Sequence, residues 1–391
     1  MTRTEDGKDH PLELAAQRLE GAPAPASADE ASMLLAALGY AGADQQPQLL
    51  ANRLALLRLG ARMGDVFRLP SELAPGLVAM GARSPEAGGP GFAGRGLTLA
   101  EAFESCMGEA AEYLSFLRQP GDPRVSPADD TVGAWLMTDG AACRLPAADL
   151  FRDPNTGKGA RSGGTGAGPD RDSAARAAVL EAIERDAVAR WWRDDQPARE
   201  IPEAEAVALG ATARLATLRA GVARRSWLIE LTPDHGLPVV AALSSSADGT
   251  GVVAGFAARP RLAQAALAAL LELCQMEVAQ HLAVRRCTTA GEAALSPGEQ
   301  IWLARHRHLS TDAFPKFRGG PGKPRAREMT PIASASEIAH RLAETGACAR
   351  AAEITQAEIG VPVVRVLIEG FQDMGDVATL DSTDLARIAP I

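Results

Sequence analysis

The sequence predicts an α+β fold in which largely antiparallel sheets alternate with long helices. Three observations carry that prediction. Helical and strand-like segments alternate along the 391 residues, and the strands come as hairpins. One hairpin pattern occurs twice: Trp227 to Leu243 reads WLIELTPDHGLPVVAAL and Ala351 to Leu367 reads AAEITQAEIGVPVVRVL. Each is an apolar strand, a polar turn and a Gly-x-Pro-Val-Val entry to a second strand, as expected of a duplicated α/β unit. Finally, three long segments have helical spacing of apolar residues, and all three carry glutamates.

The elements follow in order. Leu12 to Leu19, Ser32 to Leu38 and Leu49 to Leu59 have helical spacing, with a Pro/Ala linker from Gly21 to Ala28. This sets a helical N-terminal segment, 1–62, apart from a main domain, 63–391. Ser84 to Gly96, with four glycines or prolines in a row, reads as a loop. Thr98 followed by Glu101 is a capping box that opens a helix running to about Leu117. Val132 to Met137 and Cys143 to Leu145 flank Asp139-Gly140, a strong hairpin turn. Arg152 to Gly168 reads as a long loop ending in a glycine run, and Pro169 suits the first position of a helix that reaches Arg193. A third long helix follows Pro260 to about Ala283, and the polar Ser296 to Pro331 reads as a loop.

Composition narrows the function. Apolar residues make up 46% and charged residues 23%, which is globular. A net charge of −9 argues against a protein held mainly by nucleic-acid phosphates. No run of apolar residues reaches membrane-spanning length, and Met1 to Asp9 is not followed by a signal-peptide core. Five scattered cysteines without a CxxC read as reduced thiols in the cytoplasm. The sequence therefore predicts no nucleic-acid or membrane partner.

The chemistry lies in where the glutamates stand. The first long helix carries Ser105, Glu109 and Glu112 at i, i+4 and i+7, on one face. The second carries Glu181, Glu184 and Arg185, and the third Glu272 and Gln275. Helix glutamates are commonly solvated surface. These stand among apolar neighbours, however: Glu109 by Phe103 and Cys106, Glu184 by Ile183 and Ala187, Glu272 by Leu271 and Leu273. Acidic groups in such company need partners. If the three faces meet, Glu109, Glu112, Glu181, Glu184 and Glu272 form a metal site, and Mg²⁺ commonly bridges carboxylates to phosphates. Cys106 and Cys274 on the same helices read as buried structural thiols. Trp191-Trp192 reads as core. His306 and His308 read as solvated, and Gly163 to Gly168 lacks the spacing of a phosphate-binding loop.

Gly94 to Ser115, Gly164 to Trp192 and Ala263 to Gln275, in this order and at these separations, resemble the three ATP-binding helices of the YcaO superfamily. The family pattern is two Ser-x-x-x-Glu-x-x-Glu-Arg-like helices and a Gln-x-x-x-Glu-x-x-Gln helix, and the resemblance covers roughly residues 65–391. Tyr113 stands where the first motif has Arg, Ala177 and Ala268 replace polar openings of the second and third, and Gly164 stands where Asn is common. The resemblance implies a YcaO-like fold around an ATP site. It implies ATP and Mg²⁺ as cofactors, held by Ser105, Glu109, Glu112, Glu181, Glu184, Glu272 and Gln275. Arg185 supports the cluster and Arg193 is an extra phosphate contact. Glu109, Glu184 and Arg185 are the residues expected to carry catalysis.

The activity implied is cyclodehydration of a ribosomally made precursor peptide, closing Cys, Ser or Thr onto the preceding amide as thiazoline or oxazoline. The alternatives are thioamide formation and a nucleotide-binding scaffold without activity. A Pro-x-Pro-x-Pro tail is common in azoline-forming members; this chain ends Arg387-Ile388-Ala389-Pro390-Ile391. The expected partners are an E1-like leader-binding protein, a flavin-dependent dehydrogenase and a second copy in a homodimer, with residues 1–62 either a docking surface or else plain packing or a dimer contact.

Overall fold

The computed structural model describes residues 47–84, 89, 91–161, 163–193 and 196–372. The predicted helices within residues 1–46, and the tail from 373 onward, lie outside the described residues. In chain order the elements are α1 (Pro47–Arg62), β1 (Asp65–Leu69), β2 (Val78–Arg83), β3 (Gly91–Gly96), α2 (Leu99–Phe116), β4 (Thr131–Leu136), β5 (Ala142–Pro146) and α3 (Ala147–Leu150). They continue with β6 (Thr165–Ala167), α4 (Arg171–Arg193), β7 (Arg199–Ile201), α5 (Glu203–Ala208), α6 (Ala211–Arg219), β8 (Arg225–Glu230), β9 (Val239–Ser245) and β10 (Val253–Ala258). The last are α7 (Leu262–Ala290), α8 (Pro297–His308), α9 (Ala335–Ala343), β11 (Ala349–Glu353) and β12 (Val363–Ile368).

The strands form three sheets, β1-β2-β3, β10-β9-β8-β7 and β5-β4-β11-β12-β6, and neighbouring strands within them are antiparallel. The predicted repeat is real and has a third copy. The hairpins β8-β9 and β11-β12 are the two matched sequence stretches. Each is flanked by an edge strand (β10, β6) that leads into a long helix (α7, α4). The hairpin β1-β2 with edge strand β3 and helix α2 has the same arrangement. Its strands lack the Pro-Val-Val signature, so the sequence does not display it.

A glycine sits at the matching place in all three edge strands. A Cβ at Gly94 would collide with Ala102 O and Cys106 N of α2. At Gly166 it would meet Ala174 O and Ala178 N of α4, and at Gly255 Ala269 O and Leu273 N of α7. Only glycine lets each helix lie this close to the strand that feeds it.

Helix α4 lies between the two larger sheets. Along β9, Val239, Ala241 and Leu243 join the core that holds Trp191 of α4, whereas Val240 and Ala242 join the core of α7. Along β12, Val364 and Val366 face α4, whereas Val363 joins the core of α2. Burial on both faces explains why these strands read as unbroken apolar runs rather than alternating ones. Trp191 and Trp192 are core, as expected, packed edge to face at 5.5 Å and against Phe317.

Several expectations are corrected. Gly91–Gly96 is a strand, not part of a loop, because Gly94 and Gly96 serve close packing against α2 rather than turning. The predicted loop 152–168 ends in β6, and the helix after it begins at Arg171, two residues beyond Pro169. The third helix runs on to Ala290, and the polar stretch 296–331 contains α8 and a short 3-10 turn, Pro315–Arg318. Helix α7 is long and apolar enough, by length and composition alone, to cross a membrane. Half of its most apolar window is buried within the protein, and it carries Glu272 and Glu277.

Candidate active site

The three helices that follow β3, β6 and β10 bring their glutamates to one cavity of about 1100 Å³. Helix α2 starts cleanly: the Thr98 hydroxyl accepts from Glu101 N at 3.2 Å, and the Glu101 carboxylate accepts from Thr98 N at 3.2 Å. From that start the helical period turns Ser105, Glu109 and Glu112 toward the cavity. Helix α4 contributes Glu181, Glu184 and Arg185, and α7 contributes Glu272. Seven of the nine predicted residues thus line one cavity, and Gln275 and Arg193 do not. Gln275 does not line the cavity, yet its side-chain oxygen accepts from Arg95, which does. Arg193 is exposed at the last residue of α4, nine positions past Glu184, and does not line it. At about 1.5 Å per residue that is ~13 Å along the helix, so the expected phosphate contact is not placed there.

Edge strands hold the carboxylates. Their outward N–H groups have no strand partner, and the glutamates accept them. Ala93 N donates to Glu109 Oε2 at 3.1 Å, Thr165 N to Glu181 Oε2 at 2.9 Å and Ala167 N to Glu112 Oε1 at 2.7 Å. The last bond runs from β6 to α2 and so ties two repeat units together. Arg95 of β3 ties in the third, donating to Glu272 Oε2 at 3.1 Å as well as to Gln275.

The five carboxylates repel one another in a closed ring. Glu109 feels Glu272, Glu112 feels Glu109 and Glu181, and Glu184 feels Glu181 and Glu272. Burial, with Glu181 beside it, pushes the Glu112 carboxyl up to about 8. Burial, with Glu272 beside it, pushes Glu184 up to about 8. Glu109 and Glu181 are also raised by burial, opposed at Glu109 by the Ala93 N–H and Arg95, and at Glu181 by Arg185 and the Thr165 N–H. Arg185 reaches Glu181 Oε1 at 3.5 Å. Burial pushes the Cys106 and Cys274 thiols up to about 12, so both are inert packing groups.

The same cavity is lined by Arg95, Arg176 and Arg259, which sequence reasoning missed, and by Gln264. Burial holds the Arg259 guanidinium below its ordinary value, against the pull of Glu184. Arg95 had one sequence signal, its place between Gly94 and Gly96. Arg259 had none beyond preceding Pro260, since strand ends brought together by topology leave no spacing rule. The Gln264 side-chain oxygen is buried without a hydrogen-bond partner among the described residues.

These residues fit a magnesium nucleotide. Among the described residues, no three His, Cys, Asp or Glu side chains form a metal cage on their own. Mg²⁺ is instead typically held by one or two carboxylates, with waters and substrate phosphates completing its shell. A raised-pKa carboxylate ring answers to a cation, the arginines of the same cavity to phosphate oxygens, and the orphaned Gln264 oxygen to a hydrogen-bond donor.

Comparison with known proteins agrees with this geometry. A family model described as "YcaO cyclodehydratase, ATP- and Mg²⁺-binding" matches residues 130–372. A search of curated proteins finds no match. Among solved structures, a heterocyclase in complex with substrate and cofactor is similar at TM-score 0.65 and 16% identity, covering 84% of this chain and 52% of that one. The chain thus spans about half the length of that heterocyclase. The YcaO protein of Methanopyrus kandleri, bound with AMPPCP and Mg²⁺, is similar at TM-score 0.61 and 21% identity, over 88% of this chain and 94% of that one. The E. coli microcin synthetase McbBCD complex contains a chain similar at TM-score 0.58 and 13% identity, over 83% and 96% of the two chains. The same complex with pro-MccB17 bound also matches, at TM-score 0.57 and 12% identity over 83% and 96%. At these identities the structural likeness is one of fold.

Proposed function

The chain belongs to the YcaO family of ATP- and Mg²⁺-binding proteins, and on that premise we propose that it activates a backbone amide of a ribosomally made peptide and closes a Cys, Ser or Thr onto it as thiazoline or oxazoline. The observation that carries this reading is the ring of five glutamates from three separate helices, sharing one cavity with three arginines.

In this reading Glu109, Glu112, Glu181, Glu184 and Glu272 hold Mg²⁺, and Arg95, Arg176 and Arg259 face the phosphates. When bound, the magnesium nucleotide supplies the phosphoryl group that turns an amide oxygen, a poor leaving group, into a good one. The protein's part is positioning and charge neutralisation, the main requirements of phosphoryl transfer. Edge-strand N–H groups fix Glu109, Glu112 and Glu181 before any ligand arrives, which limits reorganisation during the reaction. Arg95 fixes Glu272 and Gln275 in the same way. The nucleophile belongs to the substrate, so the cavity needs no reactive cysteine, in keeping with the two inert thiols behind it. Net, the peptide loses the elements of one water, recovered with the nucleotide's phosphate.

The substrate and partners are part of the same proposal: a precursor peptide, an E1-like leader-binding protein and a flavin-dependent dehydrogenase that would oxidise azoline to azole. The test is co-expression with the precursor peptide from the neighbouring genes, followed by mass spectrometry and assay of peptide-dependent phosphate release. Loss of one water per modified residue with ADP formation supports the reading. Replacement of oxygen by sulfur, or a peptide that returns unmodified from a complex containing every neighbouring protein, overturns it.

A further inference from the structure

A second cavity, of about 470 Å³, lies where the β1-β2-β3 sheet meets the C-terminal half of α7. Its floor is apolar, made by Phe67 and Leu69 of β1 and Leu282 of α7. Its rim is basic, made by Arg83 of β2 and Arg285 and Arg286 of α7. Gly91 and Phe92 of β3 line this cavity and the active-site cavity alike, so the two adjoin at the start of a single strand. On the active-site side Phe92 packs against Tyr113 with ring centroids 5.7 Å apart.

Resting on the function proposed above, we infer that this second cavity seats an acidic stretch of the peptide substrate, whose modified residue reaches the glutamate ring past Gly91. Two observations select that occupant. The first is adjacency: this groove shares Gly91 and Phe92 with the active-site cavity, so it is the neighbouring surface for a ligand longer than that cavity. A peptide has that length and a nucleotide does not. The second is charge. Arg83 lies over the Phe67 ring at 5.3 Å, Arg285 meets Glu72 at 3.5 Å and Arg286 meets Glu299 at 2.8 Å. Arg285 and Arg286 are half exposed, and a guanidinium has five donors, so each retains donors for a further carboxylate. The apolar floor between them takes the side chains that alternate with acidic ones in an extended peptide.

Gly91 supplies the sharpest probe. Among the described residues a Cβ there meets only Ala82 O, at 3.7 Å, and the backbone is not left-handed, so the strand admits a side chain at the point where the two cavities adjoin.

The experiment uses the full chain with a fluorescein-labelled 16-residue peptide alternating Asp or Glu with Leu around one Cys, and a counterpart carrying Lys at every acidic position. Anisotropy gives peptide affinity, and calorimetry with Mg²⁺ and AMPPCP gives nucleotide affinity. We expect the acidic peptide to bind at least tenfold tighter than the basic one. Arg285→Gln/Arg286→Gln should weaken it at least tenfold while leaving nucleotide affinity within twofold. Gly91→Leu should weaken it several-fold with an unchanged melting temperature. Equal binding of the two peptides, or wild-type affinity in the double variant, overturns the inference. So does displacement of the acidic peptide by a poly(dT) oligonucleotide, which would make the rim a nucleic-acid site. Failure of the nucleotide titration in the wild type would instead strike the proposed function.

Discussion

Magnesium-nucleotide binding should release protons, and the number follows from the glutamate ring. Glu112 and Glu184 are held at about 8 in the ligand-free protein by burial and by each other's neighbours. At pH 7 a group with that pKa carries about 0.9 proton. A cation seated among the carboxylates requires their ionised forms, so binding should expel between one and two protons at pH 7 and well under one at pH 9. Affinity should therefore strengthen as pH rises from 6 to 8. The assay is calorimetry of Mg²⁺ with AMPPCP in two buffers of different ionisation enthalpy, with a protein-free titration subtracted for the nucleotide's own protons. Glu184→Gln should release about one proton fewer. The same shift acts on stability with a definite sign. A carboxyl whose folded pKa is raised stabilises the fold below its unfolded value of 4.5, and that contribution is lost as pH climbs through about 8. The ligand-free protein should thus melt at a lower temperature at pH 9 than at pH 6, and the difference should shrink with ligand bound. Binding that releases no protons anywhere between pH 6 and 8 would refute the reasoning.

Three further outcomes are expected. Gly255→Ala places a Cβ against Ala269 O and Leu273 N, which are backbone atoms that cannot swing aside, so the melting temperature should fall by several degrees or the chain should fail to fold; Gly133→Ala, with nothing within 4 Å, should change it little. Arg95→Met removes the link from β3 to Glu272 and Gln275, and calorimetry should show nucleotide affinity at least tenfold weaker, with a change in melting temperature of only a few degrees. Arg193→Ala should leave nucleotide affinity within twofold, because the residue stands on the last turn of α4, away from the cavity.

Much of the site was legible because helices write their function locally. Spacing of i, i+4 and i+7 put Ser105, Glu109 and Glu112 on one face without knowledge of the rest of the chain, and the capping box fixed where that helix begins. What joins the helices was not legible. Arg95 meets Gln275 across 180 positions and Thr165 meets Arg365 across 200, and no local period encodes such pairs. The glycines of β3 read as loop because their purpose, helix contact, appears only after folding. The third repeat unit stayed hidden for a related reason: its hairpin conserves a packing role rather than a sequence.

The helix glutamates that accept from the edge strands have a consequence beyond ligand binding. β3 and β6 each end a sheet, and an unpaired margin of N–H groups is a template on which another chain can add itself and seed aggregates. Here the carboxylates of Glu109, Glu112 and Glu181 occupy donors on those margins, so the groups proposed to hold Mg²⁺ also deny these N–H groups to another chain. Alanine at these positions would remove the acceptors of three edge-strand N–H groups, so loss of activity in such variants should be read alongside a measurement of their self-association.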